Sequence, residues 1–179
     1  MMDFQLRPTI PSDLARLMDI DHSARSDAVW QLELRREPGQ VFATLREARL
    51  PRPITLTYPH NPSALVDDWK RKSMMFTAIA GPELIGYAAL LEREGGSVAW
   101  ITDLVVAPRA RRQGVGTALL EAAEEWGAKR SIRRIMLEMQ AKNLPAIRLA
   151  QKHGYEFCGY NDHYYPSQDV ALFFARALK

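Results

Sequence analysis

A single cysteine, Cys158, stands in a chain of 179 residues, so an intrachain disulfide and a four-cysteine zinc site are both excluded. Its place in the apolar stretch "YEFCGY" predicts an inert thiol. Long apolar runs are scarce: "VALFFA" at 170–175 falls far short of the roughly 20 residues that a spanning helix needs, and no membrane crossing is expected. The opening "MMDFQLRP" has an acid at position 3 and no apolar h-region, which predicts no secretory signal and, with the lone cysteine, a cytoplasmic setting. The four histidines, His22, His60, His153 and His163, show no H-E-x-x-H or other ligand spacing, so no metal is inferred. No G-x-S-x-G turn offers a nucleophile. Excess charge is lacking too. With 24 basic and 21 acidic residues the net charge is +3, which argues against nucleic-acid binding despite the basic clusters "PRARRQ" and "AKRSIRR".

Apolar residues make up 47% and charged residues 25%, the profile of an ordinary globular chain. The length suits one domain spanning 1–179. "FQLRP" alternates as a first strand, and "PSDLARLMDIDHSA" has Leu14, Leu17, Met18 and Ile20 at helical spacing. A second helix is expected over "LELRREPGQVFATLREARL", interrupted at Pro38 and Gly39. "PRPITLTYPHNPSAL" holds four prolines and reads as an irregular loop. From Met74 the pattern becomes a three-strand meander, "MMFTAIA", "LIGYAALLER" and "SVAWITDLVVA". It continues as a helix to about Lys129, a strand "RIMLEMQ", a helix from Leu144 to His153, and strands "YEFCGY" and "DVALFFARAL". The last strand is apolar on both faces, as expected inside a sheet. This is a mixed α/β (α+β) chain with one central sheet of about six or seven strands and flanking helices.

Chemistry concentrates in "VVAPRARRQGVGTALLEAAEEWG". Val115, Ala118, Leu119, Ala122, Ala123 and Trp126 form one apolar helical face, so the helix packs on the sheet. Its start falls at Gly114 and Gly116, where unpaired backbone N–H groups and the positive end of the helix dipole favour an anion. Arg109, Arg111 and Arg112 place positive charge beside them. A plain turn with a solvated arginine rim is the alternative reading. Strand end, arginine loop, paired glycines and amphipathic helix together favour an anion site. Position 119 is leucine, so the dinucleotide fingerprint fails, and no GK[ST] follows, so the triphosphate loop fails as well.

"RRQGVG" resembles the Q/R-x-x-G-x-G/A signature of the GNAT superfamily of N-acetyltransferases, with Arg111, Gly114 and Gly116 at the defining positions. "IMLEMQAKNLPAIRLAQKHGYEFCGY" resembles its second segment, a strand followed by N-x-x-A and a helix ending in a glycine-aromatic pair. The resemblance runs from about Met74 to the C-terminus. Within the superfamily, "LEMQAKN" and "FCGYNDHYY" are similar to stretches of the streptothricin acetyltransferase-like branch.

This resemblance implies a GNAT fold with acetyl-CoA as donor. Leu104, Val105 and Val106 would offer strand backbone to the pantetheine arm and acetyl carbonyl, where two central parallel strands splay apart and leave unpaired groups able to polarise the thioester. Arg111, Arg112, Gln113, Gly114, Val115, Gly116 and Thr117 would hold the pyrophosphate. Asn143 and Ala146 would contact the cofactor from the second helix, although Asn143 also suits a helix N-cap. The family's usual tyrosine acid is replaced by Ala150. Tyr155 and Tyr164 or Tyr165 are candidate substitutes, and each also suits packing. For the base, Asp103 and Glu138 lie on the strands facing the cleft. Desolvation is expected to raise Asp103 toward usefulness, against a structural acceptor role.

The implied function is acetyl transfer to a primary amine, with a small-molecule substrate, by direct attack in a ternary complex. Acetylation of a protein N-terminus or lysine is the alternative within enzymes, and a non-catalytic CoA-binding module the alternative outside them. The acceptor pocket is expected from residues 21–73, and a homodimer is compatible with the sequence.

Overall fold

The computed structural model describes residues 2–93 and 95–178. The first strand, β1 (Gln5–Pro8), leads through a 3-10 turn at Pro11–Asp13 into a short helix, α1 (Leu14–Met18). Two long strands follow, β2 (Ala24–Glu37) and β3 (Gln40–Leu56), and then a one-turn helix, α2 (Leu65–Asp68). The meander is β4 (Met74–Ala80), β5 (Glu83–Glu92) and β6 (Val98–Val106). The remainder is α3 (Val115–Lys129), β7 (Arg134–Gln140), α4 (Leu144–Lys152), β8 (Glu156–Asn161) and β9 (Ala171–Ala177). Among the described residues, seven strands form one sheet in the order β1-β4-β5-β6-β7-β9-β8, while β2 and β3 pair with each other in a second.

Within the large sheet β6 and β7 are the parallel pair, and the other neighbours run antiparallel. As its two-sided apolar sequence predicts, β9 lies inside the sheet between β7 and β8. On one face, Leu120 and Ala123 of α3 and Ile147 and Ala150 of α4 pack on Ile101, Ile135, Leu137, Leu172 and Phe174. On the other, Leu14, Leu17 and Leu65 cover Met75, Tyr87, Ala89 and Val105. Among the described residues no helix is long and apolar enough to cross a membrane.

The early region departs from the expected helices. The segment 32–50, expected as an interrupted helix, is a β-hairpin whose register pairs Glu37 with Gln40 across the two-residue turn Pro38-Gly39. Gly39 has φ +75°, a turn conformation that glycine adopts without strain. Trp30, Leu32 and Leu34 also repeat every second residue, and that shorter period prevails over the helical one. Nor is 51–56 irregular, since β3 runs on to Leu56. Pro51 and Pro53 fall in a register shift between the rungs Ala28–Arg49 and Ser26–Ile54, where no ladder N–H is required. The first helix is also shorter than its apolar spacing suggests, and ends at Met18.

Candidate active site

Gly114 caps α3 with φ +91°, and a Cβ placed there would meet nothing within 4 Å. Its carbonyl accepts the N–H of Ala118 at 2.9 Å, which opens the helical ladder. The N–H groups of Val115, Gly116 and Thr117 therefore precede any intrahelical acceptor, and no side chain caps them. They form an open, positively polarised helix end. Gly116 has a different reason to be glycine from phosphate access. A Cβ there would lie 3.1 Å from Leu149 Cδ2 and 3.8 Å from Val106 Cγ2, so its bareness lets α3 approach α4 and β6.

The arginines are not equivalent. Arg111, expected as mobile charge beside a phosphate, is half-buried and committed to backbone. Its Nε donates to Val106 O at 2.8 Å, and Nη2 donates to Ser23 O at 2.6 Å and to Asp21 O at 3.5 Å. A planar guanidinium can hold several carbonyls at once, and here it fastens the 21–23 segment to the end of β6. Arg109 pairs with Glu83 at 2.6 Å. Arg112 is exposed at φ +63° with no ion-pair partner among the described residues. Gln113 Nε2 donates to Arg109 O at 2.9 Å, and Thr117 Oγ1 lies 3.0 Å from His153 Nε2.

Beside this helix end the central ladder stops. The parallel rungs of β6 and β7 run from Val98–Arg134 to Ile101–Leu137 and no further. Beyond them β6 stays paired with β5 as far as Val106, and β7 with β9 as far as Gln140. The two strands thus separate at the positions that the sequence assigns to Leu104, Val105 and Val106. The gap opens into a narrow cavity of about 80 Å³. Asp103, Leu104, Glu138 and Gln140 reach it from the strands, and Asn143, Ala146 and Ala150 from α4. His22, Tyr58 and His60 close it from the early region. Asn143 also caps α4, its Oδ1 accepting from Ala146 N at 3.3 Å.

The candidate acids and bases separate clearly. Asp103 accepts from Tyr58 OH at 2.5 Å, Lys72 Nζ at 3.1 Å and Thr102 Oγ1 at 2.8 Å. Burial alone would raise its pKa, as the sequence suggested. Lys72, Tyr58, Thr102 and His60 together outweigh that and hold the carboxyl below its usual range. Three side-chain donors thus anchor the Asp103 carboxylate. Desolvation, and then that carboxylate, push the hydroxyl of half-buried Tyr58 well above the usual phenol value. Burial lowers His22, whose Nδ1 faces Ile20 O at 2.5 Å and whose Nε2 lies 3.1 Å from Tyr87 OH.

Glu138 differs: Oε2 accepts from Tyr164 OH at 3.0 Å, while Oε1 is buried without a partner. Tyr165 packs edge-on to His60, and burial and then Glu138 raise its hydroxyl. Tyr155 is elsewhere. Its buried hydroxyl sits beside Glu124, away from the residues lining the cavity, and desolvation raises it. Cys158 is exposed on β8, not sequestered in apolar surroundings, yet the partial burial of its thiol still raises it and keeps it protonated. Tyr58, His60 and Lys72 escaped the sequence reading because they lie in the stretch that carries no clean periodicity. The "YPH" triplet gave only a turn signal.

A mixed sheet whose parallel pair parts beside an uncapped helix N-terminus is the frame of an acyl-CoA-dependent transferase. Residues 40–155 match the model of the acetyltransferase (GNAT) family, and the chain belongs to that family. It is an N-acetyltransferase with acetyl-CoA as its acyl donor. The streptothricin acetyltransferase of Streptomyces lavendulae is 27% identical over 167 residues, which cover 90% of this chain and 86% of that protein. A crystal structure of nourseothricin acetyltransferase superposes with a TM-score of 0.84 at 25% identity, covering 98% of this chain and 99% of that one. The ribosomal protein bS18-alanine N-acetyltransferase of Escherichia coli K12 is 35% identical over 71 residues, 40% of this chain and 48% of that protein.

Proposed function

We propose that the chain, acting as a single domain, moves an acetyl group from acetyl-CoA to a primary amine of a small molecule of the streptothricin class, by direct attack with both substrates bound. The observation that carries the reading is the ladder break after Ile101–Leu137 beside the open end of α3. Relatives acting on streptothricin and nourseothricin match nearly the whole chain, and they support the acceptor class.

The residues present suit a diphosphate: three helix amides without intrahelical acceptors, open space at Gly114 and the exposed guanidinium of Arg112. When bound, acetyl-CoA supplies an acetyl group activated as a thioester. Leu104, Val105 and Val106 would flank its arm from β6, and Asn143 and Ala146 from α4. Strand backbone freed beyond Ile101–Leu137 polarises the acetyl carbonyl, because fixed dipoles need no reorganisation. An alkylammonium is largely protonated at neutral pH and must lose a proton before it attacks. Glu138 is the group we assign to receive that proton, because it is a carboxylate that lines the cavity. We assign the acid role to solvent, which returns a proton to the departing thiolate.

Free-thiol release from acetyl-CoA in the presence of a panel of amines tests the reading. Release with streptothricin, well above that with a peptide bearing N-terminal alanine, is expected. Faster release with the peptide would move the assignment to protein acetylation. Tight CoA binding with no release for any amine would leave only a binding module.

A further inference from the structure

We infer that Tyr164 is a positioning residue for the transfer reaction, fixing the orientation of the Glu138 carboxylate at the cavity wall. The inference rests on the base role proposed for Glu138. Tyr164 OH donates to Oε2 at 3.0 Å, and Oε1 is buried with no hydrogen-bond partner among the described residues. Rotation of the carboxylate would break that bond, so the bond fixes how Glu138 sits at the cavity wall. Burial and the neighbouring Glu138 raise the Tyr164 hydroxyl, which therefore stays protonated and acts as a donor.

Tyr164 is itself held. Its ring stands edge-on to Tyr165 at 5.0 Å and to Phe173 at 5.9 Å, and its backbone N–H donates to Asp169 O at 3.1 Å. The Asp169 carboxylate accepts from Ser167 Oγ at 2.9 Å and Gln140 Nε2 at 3.3 Å, and it pairs with Lys142. Gln140 lies two residues beyond Glu138 on β7, so the loop carrying Tyr164 is fastened to the strand carrying Glu138. At 44% exposure, the tyrosine hydroxyl is not required by burial of its ring. Its one side-chain hydrogen bond among the described residues goes to the proposed base.

The test is a double-mutant cycle on steady-state kinetics. Tyr164→Phe keeps the ring contacts and removes the bond. It should lower kcat about tenfold, as expected for a hydrogen bond to a charged group, with KM for acetyl-CoA unchanged within about twofold. Glu138→Gln should lower kcat about a hundredfold, and adding Tyr164→Phe to it should change nothing further. A wild-type kcat in Tyr164→Phe, with Glu138→Gln impaired, overturns the positioning role and leaves the base role standing. An equal tenfold loss in the Glu138→Gln background also overturns it, since the tyrosine would then act independently of the carboxylate. A wild-type kcat in Glu138→Gln removes both assignments.

Discussion

Lys72→Met should be the most informative single substitution for stability, because it isolates a buried charge. The Lys72 and Asp103 side chains are only 14% and 11% exposed, and they meet at 3.1 Å. Removing one partner of such a pair leaves an uncompensated charge and costs about 3–5 kcal/mol. Tyr58 and Thr102 would still donate to Asp103, which places the loss at the lower end, about 3 kcal/mol. For a chain of this length that corresponds to a Tm lowered by about 6–12 °C. The folded pKa of Asp103 is depressed, so its contribution is fully present above the unfolded carboxylate value of about 3.9 and is lost as pH falls through the lower folded value. The deficit of Lys72→Met should therefore be largest at neutral pH and shrink in acid. Lys72→Met/Asp103→Asn should cost less than the two single changes added together. Urea unfolding at neutral and acid pH measures all three variants. A neutral-pH deficit below about 1 kcal/mol, the level of an exposed pair, or strict additivity, would refute the reasoning.

Two further pairs of substitutions test the packing of the sheet and the roles assigned to the arginines. Gly86→Ala would bring a Cβ to 2.6 Å from Val105 O and 3.3 Å from Val106 Cα. It should cost about 3 kcal/mol as overpacking against backbone, whereas Gly39→Ala, strained but in open space, should cost about 1 kcal/mol; thermal melts of both variants check the order. Arg111→Lys should lower Tm and leave KM for acetyl-CoA nearly unchanged, since its bonds go to backbone carbonyls. Arg112→Ala should do the reverse, raising that KM by an amount that falls with added salt. Identical behaviour of the two variants would remove the distinction.

The half of the chain after Met74 was legible because each of its elements is long, strongly patterned and bounded by turn residues. β7 falls where "RIMLEMQ" predicts it, and α3 ends at Lys129 as expected. The separation of β6 from β7 came from resemblance, since no local pattern announces where a parallel ladder stops. The hairpin differs from the helix expected over 32–50 because Leu32, Leu45 and their neighbours satisfy both periods, and Pro38-Gly39 reads equally as a helix interruption and as a two-residue turn. The backbone bonds of Arg111 were not legible for another reason: a motif gives a residue's position but not the carbonyls waiting beside it. For Asp103, Lys72 and Tyr58 are 31 and 45 positions away in sequence, and they reverse the shift that burial alone would cause.

The central claim is that the open amides of α3 hold the diphosphate of coenzyme A and bring its sulfur to the gap between β6 and β7. A crystal structure of the CoA complex measures this directly. The expected result is diphosphate oxygens within hydrogen-bonding distance of the Val115, Gly116 and Thr117 amides, with the sulfur beside Leu104 and within reach of Glu138. A diphosphate bound elsewhere, or a sulfur remote from that gap, would contradict the claim.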